Sequence, residues 1–510
     1  MKLDFVRNTK RNIVANAINN GIRLLFPFLN RTLFLWLLGP AYLGLNGLFG
    51  SILGVLMLAE LGFGTAIVCS MYKPVADDDR ELLCAYLRFY RKVYRWVGAA
   101  IFIVGLCLLP FLRNLVHGDV PADVDLHILY LIHLVNTSAS YFLFAYRGSI
   151  LGAHHRNDVI TNIRTAVSVV QYVTVFLILL VTRNYYYYII ATVAFTVTQN
   201  ILLVRASRRL FPDIEPRGRL PDVMRRRVID DVKSIFMHKV GGVISSSLGN
   251  LVVSAFLGLV AVAAYGNYYY VYTTVTGLAG IAYTSMLGGF GNKIYTESKE
   301  ANFALLMKAN RLTLIIALWC AAMMTALYQP FISIWVKHDP ELVRHALTAV
   351  LMVVLFCVNI SRQVLLTFKS AAALWKPDRL KPLVAGIFNL VVSISLIVTL
   401  PDAYKIDCVI FATLAGYALI QIPWETHVVF TAFFNRDQAQ KYWKQQLFFA
   451  AAALGLCSIT WLAVNFIALD RLQGLLLKGG VAALVSGGLM LVLFRRDVLD
   501  MVKTLGQKRA

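Results

Sequence analysis

Apolar stretches of about 20 residues recur along the whole chain, and each is long enough to cross a bilayer as a helix. In hydrocarbon every backbone N–H and C=O must be satisfied internally, as a helix does within each span. Spans are predicted at 13–38, 44–70, 93–112, 126–151, 160–182, 184–205, 234–257, 261–288, 311–336, 342–368, 381–400, 406–432, 447–469 and 473–494, fourteen in all. With 58% hydrophobic and only 15% charged residues, the chain is no soluble domain on a single anchor. The expected fold is an all-α polytopic membrane protein.

The positions of Lys and Arg set the orientation. Most of the 49 fall at span ends on the side of the N-terminus, which is therefore expected to be cytoplasmic, and an even number of spans returns the C-terminus there. The net charge of +22 is then mainly a topology signal, and a nucleic-acid partner is not expected. The densest basic cluster, from Arg205 to Arg227 between the sixth and seventh spans, reads as anchoring against anionic lipid. No cleavable leader is expected, since the first apolar run is of full span length and carries Arg23. The seven cysteines are scattered without metal-ligand spacing, so neither a disulfide frame nor a metal site is expected.

Polar residues inside the spans form stripes. At 100° per residue, Asn20, Arg23, Asn30 and Arg31 share one face of the first span with Asn12, Asn16 and Pro27. A guanidinium near the bilayer centre costs about 3 kcal/mol on insertion scales, so such residues face a bundle interior or a wet cavity. Asn136, Ser140 and Arg147 share a face of the fourth span. Lys239, Ser246, Asn250 and Ser254 do so on the seventh, and Asn359, Arg362 and Lys369 on the tenth. Together these residues predict a positively charged cavity suited to a phosphate, pyrophosphate or acidic sugar. Near the cytoplasmic ends Arg147, Lys239 and Lys369 can also snorkel. Glu60 in the second span and Glu425 in the twelfth are the candidate proton or cation sites, with an ion pair to a deep arginine as the structural alternative.

The chain also repeats itself. At an offset of 219 residues Leu38-Gly39 meets Leu257-Gly258, Gly47 meets Gly266, Asp78 meets Glu297, and Arg80-Glu81 meets Lys299-Glu300; with small indels Arg147 meets Lys369. The repeat predicts an N-lobe of six spans (1–205), a basic cytoplasmic linker (206–233), a C-lobe of six spans (234–434), and two final spans with a cytoplasmic tail (435–510). Lobes of six spans enter the membrane in the same sense, which makes them parallel repeats with a substrate site expected between them.

There is no phosphate-binding loop, no completed dinucleotide fingerprint and no cluster of His, Cys or carboxylates, so no cofactor is expected and the chain is not expected to be an enzyme. Leu38 to Phe49 (LGPAYLGLNGLF), Leu58 to Ile67 (LAELGFGTAI) and Met71 to Ala76 (MYKPVA) resemble the start of bacterial Wzx-type polysaccharide flippases, members of the multidrug/oligosaccharidyl-lipid/polysaccharide exporter superfamily. That resemblance implies translocation of an undecaprenyl-pyrophosphate-linked oligosaccharide across the bacterial inner membrane by alternating access, for cell-surface polysaccharide assembly. It further implies that Arg23 and Arg31 line the headgroup cavity, that the last two spans form a lipid groove, and that a polysaccharide polymerase and glycosyltransferases are partners. A drug or cation antiporter of the same superfamily is the alternative, expected to have twelve helices and an acid-rich cavity. With no nucleotide site, the drive is expected to come mainly from the membrane potential acting on cavity arginines, with Glu60 secondary.

Overall fold

The structure is a computed structural model that describes residues 21–22, 25–60, 63–116, 120–143, 145–154, 156–284, 287–372, 374, 376–378, 380–467 and 472–495. Every regular element among them is helical. Nine of these helices are long and apolar enough to cross a membrane, and three shorter apolar helices accompany them. The chain is a multi-pass helical membrane protein.

Contacts divide it into two compact units, Met1–Ala263 and Ala264–Ala510. The first unit holds α1 (Leu25–Leu38), α2 (Pro40–Leu56), α3 (Phe63–Ala76), α4 (Arg80–Leu108), the single turn α5 (Leu112–Leu115) and α6 (Leu126–Phe142). After these come α7 (Gly148–Ala153), α8 (Asn157–Thr182), α9 (Tyr185–Leu210), α10 (Asp222–Leu257) and the start of α11 (Leu259–Thr284). The second unit continues with α12 (Leu287–Thr296), α13 (Lys299–Trp335), α14 (Ala346–Ala371), α15 (Lys381–Thr399), α16 (Lys405–Gly416), α17 (Ile422–Ala432), α18 (Arg436–Asn465) and α19 (Leu472–Leu493).

The sequence repeat has a backbone counterpart. Gly39, which precedes α2, and Gly258, which precedes α11, both have positive φ, at 100° and 85°. A side chain there would be strained, so glycine permits the backbone conformation that joins one helix to the next. Asp79 caps α4 by accepting from the Leu82 N–H, and Ser298, again 219 residues later, caps α13 by accepting from the Ala301 N–H.

Three expected spans are interrupted. The span expected at 44–70 ends as α2 at Leu56, makes one 3-10 turn over Met57–Glu60 and resumes as α3 at Phe63. Gly64, a poor helix former, lies in the first turn after the restart. The span expected at 126–151 breaks after Phe142 into a 3-10 turn, Ala145–Arg147, and the short α7. In the second unit a π turn, Tyr417–Gln421, separates α16 from α17. Pro423 lacks an N–H and its ring crowds the carbonyl four residues back, which the wider turn accommodates.

Helix packing in the first unit uses small residues, as expected where lipid supplies no hydrophobic drive between helices. A Cβ at Gly44 would lie 2.0 Å from the Leu259 carbonyl oxygen. Gly44→Ala is therefore expected to destabilise the protein by about 1–3 kcal/mol, read as a lower melting temperature of the purified protein; an unchanged melting temperature would mean that α2 and the start of α11 separate freely.

Candidate functional site

The break after α2 places Glu60 at the edge of a polar cavity of about 770 Å³ within the first unit. Six helices line it: α3 and α7 contribute small and apolar residues such as Gly64, Val68 and Gly152, and four others supply polar side chains by regular spacing. Tyr90 and Tyr94 come from one face of α4, Asn136, Thr137, Ser140 and Tyr141 from α6, Asn157, Thr161 and Arg164 from α8, and Thr196, Gln199 and Asn200 from α9. The Tyr94 hydroxyl donates to Glu60 Oε1 and the Tyr141 hydroxyl to Oε2, each at 2.5 Å. The rings of Tyr90 and Tyr94 meet edge to face at 4.3 Å. Asn200 Nδ2 donates to the Ser140 hydroxyl at 3.1 Å and to the Thr196 carbonyl at 2.9 Å, while Asn136 Oδ1 is buried without a hydrogen-bond partner.

Such a wall offers amides and hydroxyls that both donate and accept, phenol rings that can pack against C–H faces, one carboxylate and one guanidinium. The combination suits a polyhydroxylated ligand. Arg164, Tyr94 and Tyr141 were not expected at a site. Arg164 lies near the start of a span, and nothing local to Tyr94 or Tyr141 marks them as partners of a carboxylate on another helix, so only the fold could assemble them.

Several expected cavity cations are instead engaged inside the protein. The Arg147 side chain is 1% exposed and its Nη2 lies 2.5 Å from Oε2 of Glu215. Glu215 belongs to the segment between α9 and α10, where Ile214 and Leu220 are buried. Arg80 pairs with Asp213 of that segment at 2.8 Å and Arg88 donates to the Gly218 carbonyl at 2.9 Å. The expected linker is thus fastened over the ends of the first unit's helices.

In the second unit Arg362 of α14 forks onto Glu425 of α17, with Nε 3.0 Å from Oε2 and Nη2 bonded to Oε1. Lys381, at the start of α15, bonds the same Oε1 and lies 3.1 Å from Asp378, which also pairs with Lys369. Glu425 and Asp378 are fully buried, and the Arg362 guanidinium lies 4.7 Å from the Tyr417 ring centroid in the π turn. This is the ion-pair alternative raised above for Glu425: three cations and two carboxylates hold α14, α15 and α17 together.

The other expected residues are distributed as follows. Asn30 of α1 donates to the Tyr188 hydroxyl at 3.0 Å, Arg31 reaches the Ala263 carbonyl at 3.5 Å, and Asn250 of α10 donates to the Ser51 hydroxyl at 2.9 Å. Asn20 and Arg23 lie outside the described residues, as does the side chain of Lys239 on α10. No group of three His, Cys, Asp or Glu among the described residues could hold a metal ion.

Long apolar helices, interrupted spans and a polar cavity within the first unit are the features of a transporter-type membrane protein. Residues 9–287, more than half of the chain, match the model of the polysaccharide biosynthesis protein family, and the chain belongs to that family. No curated protein matches it. Among solved structures it is similar to "Lipid II flippase MurJ, inward closed conformation", with a TM-score of 0.69 and 14% identity over 95% of this chain and 100% of that one. It is also similar to a "multidrug resistance MATE family transporter of the MOP superfamily" in its inward-facing conformation, with a TM-score of 0.57 and 15% identity over 80% of this chain and 94% of that one. At such identities the likeness establishes the shared fold, in keeping with the Wzx-type resemblance read from the sequence.

Proposed function

We propose that this protein flips an anionic undecaprenyl-pyrophosphate-linked oligosaccharide from the cytoplasmic to the outer leaflet of the bacterial inner membrane by alternating access, for cell-surface polysaccharide assembly. The observation that carries the reading is the amide-, hydroxyl- and phenol-lined cavity of about 770 Å³ in the first unit of a polysaccharide biosynthesis family member. Its lining matches the alternating hydroxyls and C–H faces of a glycan, and its volume accommodates several sugar rings. In this reading Asn20, Arg23, Asn30, Arg31, Lys239 and Asn250, with Arg164, receive the pyrophosphate and the first sugar, while Glu60 is the coupling group. The similarly folded MurJ is a lipid II flippase, which is a further support. Polysaccharide polymerase and glycosyltransferases are the expected partners.

One observation favours a second reading. A carboxylate held by two phenols, with a third tyrosine beside them, also suits an organic cation, as in a drug or cation antiporter. Proteoliposomes distinguish the two. With a fluorescent undecaprenyl-linked oligosaccharide, the wild type is expected to move the label out of reach of a membrane-impermeant quencher, and Asn200→Leu to do so about tenfold more slowly. Uptake of a lipophilic cation with no movement of the glycolipid would establish the antiporter instead.

A further inference from the structure

A second cationic feature lies on α4, away from the cavity. Arg88, Arg91, Lys92, Arg95 and Trp96 recur at three- and four-residue intervals and so share one face, whereas Leu87, Tyr90, Tyr94 and Val97 on the other faces are buried. The side chains of the shared face enclose an open groove of about 420 Å³. Arg88 is tied to the Gly218 carbonyl, but among the described residues no carboxylate lies within ion-pair distance of Arg91, Lys92 or Arg95.

The depth of this groove follows from helix geometry. Arg80–Leu115 is a single candidate span. At 1.5 Å per residue the part beyond Trp96 covers about 30 Å, the thickness of the hydrocarbon core. Ile103 and Val104 in that part are exposed, as a lipid-facing surface requires, and Trp96 is 70% exposed at its edge. An exposed indole at this level marks the interface, which leaves the cations in the headgroup layer. From Arg88 to Arg95 they rise about 10 Å along the axis, room for two phosphates.

We propose that this face of α4 is a docking site for anionic phospholipids of the leaflet in which it lies, the cytoplasmic one in the orientation read from the Lys and Arg distribution. Arg91, Lys92 and Arg95 take the lipid phosphates while Trp96 packs at the level of the ester groups. Charge complementarity selects the occupant: unpaired cations beside an indole at headgroup depth match a phosphate on an acyl-chain anchor.

The test uses purified full-length protein and native mass spectrometry with phosphatidylglycerol or phosphatidylcholine. The wild type should retain phosphatidylglycerol at least tenfold better, Arg91→Gln/Lys92→Gln/Arg95→Gln should lose that preference, and Lys441→Gln/Lys444→Gln, an exposed pair on α18, should keep it. Because a triple change in one helix can lower the yield of folded protein, the exposed pair Lys92→Gln/Arg95→Gln is read in parallel and should lose most of the preference. Wild-type retention by the α4 variants, or equal loss in the Lys441/Lys444 variant, overturns the assignment. So does selective capture at this face of a polyprenyl diphosphate over phosphatidylglycerol, which would make it a landing site for substrate.

Discussion

Glu425→Ala is expected to remove most folded protein from the membrane. The substitution leaves Arg362 and Lys381 buried without their shared carboxylate, and breaking a buried pair from one side costs about 3–5 kcal/mol. Against a total stability of about 5–15 kcal/mol, that loss is large. Arg362→Ala should cost less, because Lys381 still neutralises Glu425. The double variant Arg362→Met/Glu425→Gln, which withdraws one charge of each sign, should recover most of the wild-type amount. Melting temperature and membrane abundance report these differences. Should Glu425→Gln accumulate normally, melt like the wild type and yet fail to transport, Glu425 would be an ion-coupling residue and not part of a structural clasp.

Glu60→Gln is expected to behave in the opposite way, with normal abundance and at least a tenfold loss of translocation. Glu60 is half-buried at a helix break, beside a cavity, and its partners are neutral phenols rather than cations. An amide of the same size keeps one phenol as donor but cannot accept from both, so the fold is spared. What is lost is the charged form, whose hydrogen bonds are worth about 1.5–3 kcal/mol each, enough for a tenfold effect. Tyr94→Phe/Tyr141→Phe should slow translocation by a similar factor while leaving the carboxylate in place. Collapsing the pH difference in proteoliposomes should then slow the wild type more than collapsing the potential. Arg147, Arg362 and Lys369, expected from sequence to be cavity charges acted on by the field, are each matched to a carboxylate. A fully active Glu60→Gln protein, slowed only by loss of the potential, would return the drive to the cations of α1.

The membrane class was legible because span length and composition are one-dimensional properties, set by hydrocarbon thickness and helix rise. The matches at an offset of 219 residues have local counterparts for a related reason: positive-φ glycines and N-caps such as Asp79 and Ser298 act within a few residues of the chain. Helical periodicity likewise placed Asn136 and Ser140 on one face of α6, and both line the cavity. The breaks in the second and fourth spans were not legible, since hydropathy averages across a turn that tertiary contacts to Tyr94, Tyr141 and Glu215 stabilise.

Periodicity specifies the face a charge presents, but not what meets it there. The stripe Asn359, Arg362 and Lys369 was correct as a buried face of α14, yet its electrostatic meaning depended on residues far along the chain: Glu425 is 63 positions from Arg362, and Lys381 stands at the head of another helix. The sequence by itself determined a helical, membrane-spanning chain with polar residues grouped on single helix faces, because those follow from local geometry and hydrocarbon solvation. Only the tertiary structure decided which polar groups neutralise one another and which remain to line a cavity, because Coulomb and hydrogen-bond energies depend on distances of a few ångströms between segments whose separation in sequence carries no such information.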